Sequence, residues 1–264
     1  MRRSALFFGS LIVLLGVVLL GINLGVVTSH VWRYFWPLVL VLLGVWFILG
    51  PYIWKGSTET VARSIPLSGD TSAEITVNYG AGRMNVGPSA DAQELLGGTF
   101  AGGLSEDLQH VNGKAVLKIN PPADIFPGSW MYGNRGFEWD VRLNKDIPLQ
   151  LRFHTGACET HLNLLDLKVS ELTLETGASS TDIQLPAAAG FTRVTVKSGA
   201  AEVKLRVPQG VAASISESSG LSGIDVDTTR FVQNGHTYQS ADYATAANKV
   251  EIFYEGGVGS VSIH

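Results

Sequence analysis

The chain has 264 residues, of which 45% are hydrophobic and only 16% are charged. The apolar excess lies at the N-terminus, where no acidic residue precedes Glu59 and only four basic residues occur up to position 56. The remainder carries all 23 acidic residues but 15 of the 19 basic ones, a net charge near −8 that disfavours nucleic-acid binding. With one cysteine, Cys158, an intramolecular disulfide is excluded.

Two charge-free segments at the N-terminus predict membrane-spanning helices at about residues 5–27 and 36–54. In Leu6–Val27, 16 of 22 residues are Leu, Ile, Val or Phe. A helix of that length covers about 33 Å, enough for a hydrocarbon core of ~30 Å. A secretory signal peptide is the alternative, but its apolar region would span only ~7–15 residues. The composition therefore predicts a helical hairpin in residues 1–56 and a separate domain in 57–264.

Aromatic and basic residues orient this hairpin in the membrane. Trp and Tyr collect at bilayer interfaces. The sequence predicts five such anchors: Trp32, Tyr34, Trp36, Tyr52 and Trp54. Two spans place both termini on one side of the membrane. The basic residues on that side, Arg2, Arg3, Lys55 and Arg63, outnumber the single Arg33 of the connecting loop. The positive-inside rule then predicts a membrane protein with its larger domain in the cytoplasm.

The larger domain shows an alternating, repeated pattern. Apolar residues recur at every second position, as in Leu172-Thr-Leu-Glu-Thr-Gly177-Ala, which indicates strands. A glycine closes the first strand of each unit, and four of these glycines are spaced 21, 22 and 21 residues apart. The repeat glycines are Gly80, Gly156, Gly177, Gly199, Gly220 and Gly257.

A fixed repeat of this length predicts a single-stranded β-solenoid with coils of about 21–22 residues, stacked in chain order. Each repeat glycine is expected to adopt a positive φ at a corner. A sandwich of two sheets built from hairpins is the main alternative, because regular turns suit that fold as well.

Two stretches interrupt the period, at about residues 120–137 and 227–248. Insertions in repeat proteins form loops on one face and often mark the binding side. The first contains several large apolar side chains, which predict either an interaction surface or a cap over the end of the solenoid. These residues are Phe126, Trp130, Met131, Tyr132 and Phe137.

No catalytic site, metal site or cofactor site is predicted. Two groups of polar residues were candidates. One has zinc-ligand chemistry but lacks a fourth ligand: His154, Cys158 and His161. The other places carboxylates on successive repeats, as in carbohydrate-active β-helices: Asp182, Glu202 and Asp225. Alternating charge on a solvated strand explains the second group equally well.

The segments Val31-Trp-Arg-Tyr-Phe-Trp-Pro37 and Glu138-Trp-Asp-Val-Arg-Leu143, with the Thr-Gly-Ala repeats, carry a family resemblance. The hairpin resembles the LiaI/LiaF-like transmembrane region, and the repeats resemble the toastrack β-solenoid domains of LiaF-type and adhesin-like bacterial proteins. The resemblance implies a non-enzymatic, membrane-anchored regulator in the envelope-stress response. Its expected partners are the lipid bilayer and a membrane or envelope protein, or a second copy. The alternatives are an adhesin-like scaffold at the cell surface and, less favoured, a carbohydrate-active enzyme.

Overall fold

The computed structural model describes residues 37, 40, 41, 60–89, 91–122, 137–235 and 237–264. The chain separates into two compact units, Met1–Ser57 and Thr58–His264. In the first unit Pro37, Leu40 and Val41 are helical. Among the described residues, no helix has the length and hydropathy that a membrane span requires. The predicted anchors Trp32, Tyr34, Trp36, Tyr52 and Trp54, and most of both predicted helices, lie outside the described residues.

The described part of the second unit is all β. Its strands are β1 (Thr60–Pro66), β2 (Ser72–Pro88), β3 (Glu94–Ala101), β4 (Ser105–Val111), β5 (Lys114–Asn120), β6 (Glu138–Leu143), β7 (Leu149–Asn163), β8 (Val169–Gln184), β9 (Phe191–Arg206), β10 (Ala212–Val226), β11 (Val232–Asn234), β12 (Thr237–Gln239) and β13 (Lys249–Ile263).

Six long strands form the centre of the domain as stacked coils. Strands β2, β7, β8, β9, β13 and β10 pair side by side, all parallel. Each bends at its repeat glycine, so one strand contributes to two opposed faces. In β7, Leu151 and Phe153 before the bend and Leu162 after it are buried in the same core. Parallel pairing between successive repeats excludes the hairpin sandwich and establishes the stacked coil.

The stacking order differs from the order along the chain. Strand β13 lies between β9 and β10, so the repeat glycines stack in the order 80, 156, 177, 199, 257 and 220. The expected chain-order stacking is therefore wrong at this end. Strand β12 pairs with the other edge of β10, at Ser214–Ser216, and β11 pairs with β12. Residues 227–248, predicted to interrupt the period, contain these two short strands.

A charged side chain explains why β10 occupies the end of the stack. Neighbouring coils align Phe153, Leu174, Val196, Tyr254 and Glu217 in one row on the core side. The first four are apolar or aromatic, whereas Glu217 bears a carboxylate and is half-buried. Desolvating a charge between two apolar coils is costly, and inward-pointing charges are typical of sheet edges. Placing β13 against β9 keeps Glu217 in the last coil.

The opposite end is closed by a coil made of two separate strands. Strand β5 pairs in parallel with the first half of β2, and β6 pairs in parallel with its second half. Antiparallel strands then extend outward, β4 on β5 and β3 on β6, followed by β1 on β3. Trp139 of β6 is 1% exposed and packs edge-on against Phe100 at 5.2 Å. This end also departs from chain order, because β5 and β6 follow β2 in sequence.

The repeat glycines have a different role from the one predicted. None of Gly80, Gly156, Gly177, Gly199, Gly220 and Gly257 has a positive φ, so that expectation is wrong. Instead, their backbones approach the neighbouring coil. A Cβ on Gly156 would lie closer than 3.0 Å to the carbonyl oxygen of Gly80, and one on Gly257 would lie 2.6 Å from that of Gly199. The repeat glycines stack in a column, and the short distance between neighbouring coils explains why glycine is needed there.

We predict that Gly156→Ala destabilises the domain, whereas Gly80→Ala does not. Overpacking of this kind costs about 1–3 kcal/mol. A Cβ at Gly80, at the same position of the preceding coil, meets nothing within 4 Å. Thermal and urea unfolding of the full chain, followed by circular dichroism, measures both changes in the free energy of unfolding. Equal effects at the two positions would contradict the proposed role of the glycines.

Candidate interaction surface

The outer edge of the stack presents a row of polar residues two positions before each repeat glycine. The pairing registers align them across successive coils, and we call them the corner row: Asn78, His154, Glu175, Lys197, Glu255 and Ser218. Because strand alternation puts this position on the outside, the side chains line the edge at the ~4.8 Å spacing of the coils. A shallow cavity of about 780 Å³ runs along it.

Basic and acidic side chains alternate along the middle of the corner row, from His154 to Glu255. His154 Nδ1 lies 3.0 Å from Glu175 Oε2, and Lys197 Nζ lies 3.9 Å from Glu255 Oε2. All four side chains are at least 42% exposed, so solvent screens these pairs and each contributes little to stability. Charges held at fixed spacing on a rigid edge instead provide polar contacts for a partner.

Hydroxyl groups lie directly beneath the corner row. Thr155 donates to Thr176 Oγ1 at 2.9 Å, and the Ser198 and Tyr254 hydroxyls are 3.0 Å apart. These side chains are buried, so the pairs satisfy polar groups that would otherwise be desolvated at the bend. The edge under the exposed charges is thus held by internal hydrogen bonds.

The first predicted insertion begins and ends at this edge. Its first residue, Asn120, accepts a hydrogen bond from Asn78 of the corner row at 2.6 Å. Its last residue, Phe137, is 9% exposed and packs in the core, and its carbonyl oxygen accepts hydrogen bonds from the Tyr79 hydroxyl and the Arg83 amide. Burial raises the pKa of Tyr79, so this hydroxyl stays protonated as a donor. The two described ends of the insertion thus follow β5 and precede β6, the two strands of the end coil.

Phe137 is accordingly a core residue and is not available to a partner. The other members of the predicted aromatic surface lie outside the described residues: Phe126, Trp130, Met131 and Tyr132. Their role as an interaction surface stays a prediction. The structure adds that the first residue of the segment, Asn120, contacts Asn78 of the corner row, whereas Phe137 contacts Tyr79 and Arg83 of the same strand.

Past the bend, a second outer face carries further ion pairs. Arg83 and His161 both contact Glu159, at 2.9 and 3.0 Å. The hydrogen bond from His161, followed by that from Arg83, lowers the pKa of the Glu159 carboxyl. Lys204 pairs with Glu202 at 2.8 Å, and Arg206 pairs with Asp182. Each of these three carboxylates therefore has a basic neighbour on the same or the adjacent coil.

The candidate zinc ligands do not converge. His154 and His161 point outward and contact Glu175 and Glu159, whereas Cys158 is 6% exposed, faces the core and lies 3.2 Å from Thr160 Oγ1. Among the described residues, no group of three or more His, Cys, Asp or Glu is arranged to hold a metal ion.

The candidate carboxylates do not gather either. Asp182 and Asp225 share one row but are separated by Lys204 and Ser262, and Glu202 belongs to the adjacent row. This spacing offers no pair of carboxyls facing a common point, as acid–base catalysis on a sugar would need.

Comparison with known proteins decides the family. A family model described as the N-terminal domain of toast_rack matches residues 54–206. The chain belongs to the toast-rack family. A second model, the LiaI-LiaF-like transmembrane region, matches residues 6–48, and this toast-rack protein is therefore a membrane protein. Both matches confirm the resemblance found in the sequence. A search of curated proteins finds no match.

Solved structures support the toast-rack fold. A "putative cell adhesion protein" from Clostridium sporogenes aligns with a TM-score of 0.70 at 20% identity, covering 78% of this chain and 98% of its own. A "putative adhesin" from Bacteroides fragilis covers 79% and 98% at 6% identity, with a TM-score of 0.29 that carries no argument. At 20% identity the first likeness establishes the fold alone.

Sequence reasoning missed the corner row, although a signal for it was present. Every member lies two positions before a repeat glycine, so the row could have been read from the repeat alignment. The alternation of basic and acidic side chains along the row could not have been read from the sequence, because it depends on β13 lying beside β9. In chain order, Lys197 would have faced Ser218 instead of Glu255.

We predict that His161→Ala raises the pKa of Glu159 toward its usual value, because the largest cause of the lowering is removed. His154→Ala serves as the control, since His154 contacts Glu175 instead. Titration of the Glu159 carboxyl by NMR measures its pKa in both variants. Because the pKa of Glu159 is lower in the folded than in the unfolded protein, its ion pairs stabilise the fold at a pH above the unfolded-state pKa. That stabilisation is lost as the pH falls through the folded-state pKa. An unchanged Glu159 pKa in His161→Ala would contradict this assignment.

Proposed function

We propose that this protein is a membrane-anchored, non-enzymatic interaction protein of the bacterial envelope-stress response, and that the corner row is where its β domain binds a protein partner. The observation that carries the proposal is the row itself: basic and acidic side chains that alternate, exposed and at fixed spacing, along an open edge. The LiaI-LiaF-like region supports anchoring in the bilayer.

The geometry favours binding over catalysis. In the described residues Glu159, Asp182, Glu202, Glu175 and Glu255 each lie beside a basic side chain. The candidate carboxylates Asp182, Glu202 and Asp225 do not converge on one point. A rigid edge with alternating charge instead suits a partner segment with complementary charges, which sets register and specificity. The Asn78–Asn120 hydrogen bond ties the first residue of the insertion to this edge.

Site-specific photo-crosslinking tests the proposed surface. We predict that a photoreactive residue at Glu175, in the corner row, gives a discrete cross-linked product with another membrane or envelope protein. The same residue at Glu202, on the second outer face, is the matched control, because both side chains are about half exposed. Equal cross-linking at the two positions, or none at Glu175, would contradict the corner row as the binding surface.

Location separates this proposal from the adhesin-like alternative. Cys158 is 6% exposed and therefore cannot report accessibility. We predict that a cysteine at Lys204, whose side chain is 50% exposed, in a Cys158→Ala background reacts with an impermeant thiol reagent only after cells are permeabilised. The same variant, solubilised in detergent, is the control that shows whether the cysteine at position 204 reacts with the reagent when access is unrestricted. Labelling of intact cells would place the domain outside and favour the adhesin-like scaffold.

A further inference from the structure

We propose that the gap between β9 and β10 is a strand-acceptor site, and that it binds β13 of a second copy of this chain. The inference rests on the proposed function as an interaction protein, since it names one partner of the β domain. In the structure β13 fills this gap, with parallel pairing along β9 on one side and β10 on the other. Reciprocal exchange of β13 between two copies would give a symmetric dimer.

The gap does not close well by itself. If β10 paired directly with β9, the shared register would bring Glu217 against Val196 in the core row. The inserted strand places Tyr254 between them, and the hydroxyl of Tyr254 lies 3.0 Å from Ser198 Oγ. Without β13, the edges of β9 and β10 expose unpaired backbone groups, which is a template for an added strand.

The loop that connects β9 and β10 passes the level of the stack that β13 occupies. The loops 164–168 and 207–211 are each five residues long, but the first joins adjacent coils and the second crosses two levels of the stack. Arg230, which follows β10, donates to the carbonyl oxygens of Val207 and Pro208 in that second loop, at 2.8 and 3.1 Å. These contacts fix the ends of the acceptor without involving a side chain of β13.

The acceptor is complementary to β13 on both of its faces. On the outer face, Arg193 lies 3.1 Å from Glu251, and Lys197 pairs with Glu255. On the inner face, Ser198 contacts Tyr254. Charge and hydroxyl partners at alternating positions match a strand with the sequence of β13, whichever copy supplies it. A second copy therefore satisfies every contact that the gap offers.

The segment that leads into β13 permits the exchange. Residues 240–248 join β12 to β13, and none of them is buried. Its hydrogen bonds with the sheet lie at its two ends, between Ser240 and Ala213 and between Asn248 and both Ala212 and Gly190, so reopening it exposes no buried side chain. A shared bilayer confines the copies, which raises their effective concentration into the range, of order mM, where strand exchange competes with self-insertion.

Disulfide trapping between two different chains tests the exchange. One full-length chain carries Lys197→Cys and the other, with a longer tag, carries Glu255→Cys, both in the Cys158→Ala background. Both are expressed in one membrane and oxidised. Paired residues on adjacent strands lie ~4.8 Å apart, within the Cα range of a disulfide. Exchange brings the two cysteines together only between chains.

The matched control pairs a Glu175→Cys chain with a Lys197→Cys chain. These positions face each other across β8 and β9, which are consecutive coils of one chain. We expect about tenfold more heterodimer from the Lys197/Glu255 pair, given an effective concentration of order mM in an exchanged dimer. Heterodimer no more abundant than in the control would overturn the exchange.

A chain carrying both Lys197→Cys and Glu255→Cys keeps the test decisive if the mixed pair folds poorly. In this chain an exchanged strand yields a covalent dimer, and a strand that stays in its own chain yields a cross-linked monomer. A cross-linked monomer alone overturns the proposal. The Glu175 photo-crosslink to another protein would be untouched by that result, so failure of the exchange and failure of the proposed function are distinguishable.

Discussion

The spacing between neighbouring coils is the constraint on which the rest of this structure depends. Each long strand satisfies its backbone groups only by pairing with the coils on both sides, so the stack repeats at the strand spacing. At the bend the backbones come so close that a side chain at Gly156 would meet the carbonyl of Gly80. The glycine column, the bend and the two opposed faces all follow from this approach.

The same spacing produces the candidate surface. Because the coils keep register through the bend, residues two positions before each glycine align on the outer edge. His154, Glu175, Lys197 and Glu255 therefore become neighbours although 101 positions separate the first from the last in sequence. A regular scaffold turns a periodic sequence into a line of charges, and the hydroxyl pairs beneath it keep that line rigid.

The ends of the stack are governed by different physics. A coil at the end needs only one apolar neighbour, so it can carry a charge in the core row, as β10 does at Glu217. At the other end the strands β5 and β6 replace a bent coil, each pairing with one half of β2. Departures from regularity thus collect at the two ends of the stack. The inferred exchange of β13 occurs at one such departure.

The sequence by itself determined the composition break, the family, the stacked coils and the positions of the glycines, because each is written in local periodicity or in charge content. It misjudged why the glycines are there, since the distance between two backbones depends on residues far apart in the chain. It also misjudged the order of the coils. Strand β13 lies between β9 and β10 although it follows both in the chain, and only the tertiary structure decides which of β10 and β13 pairs with β9.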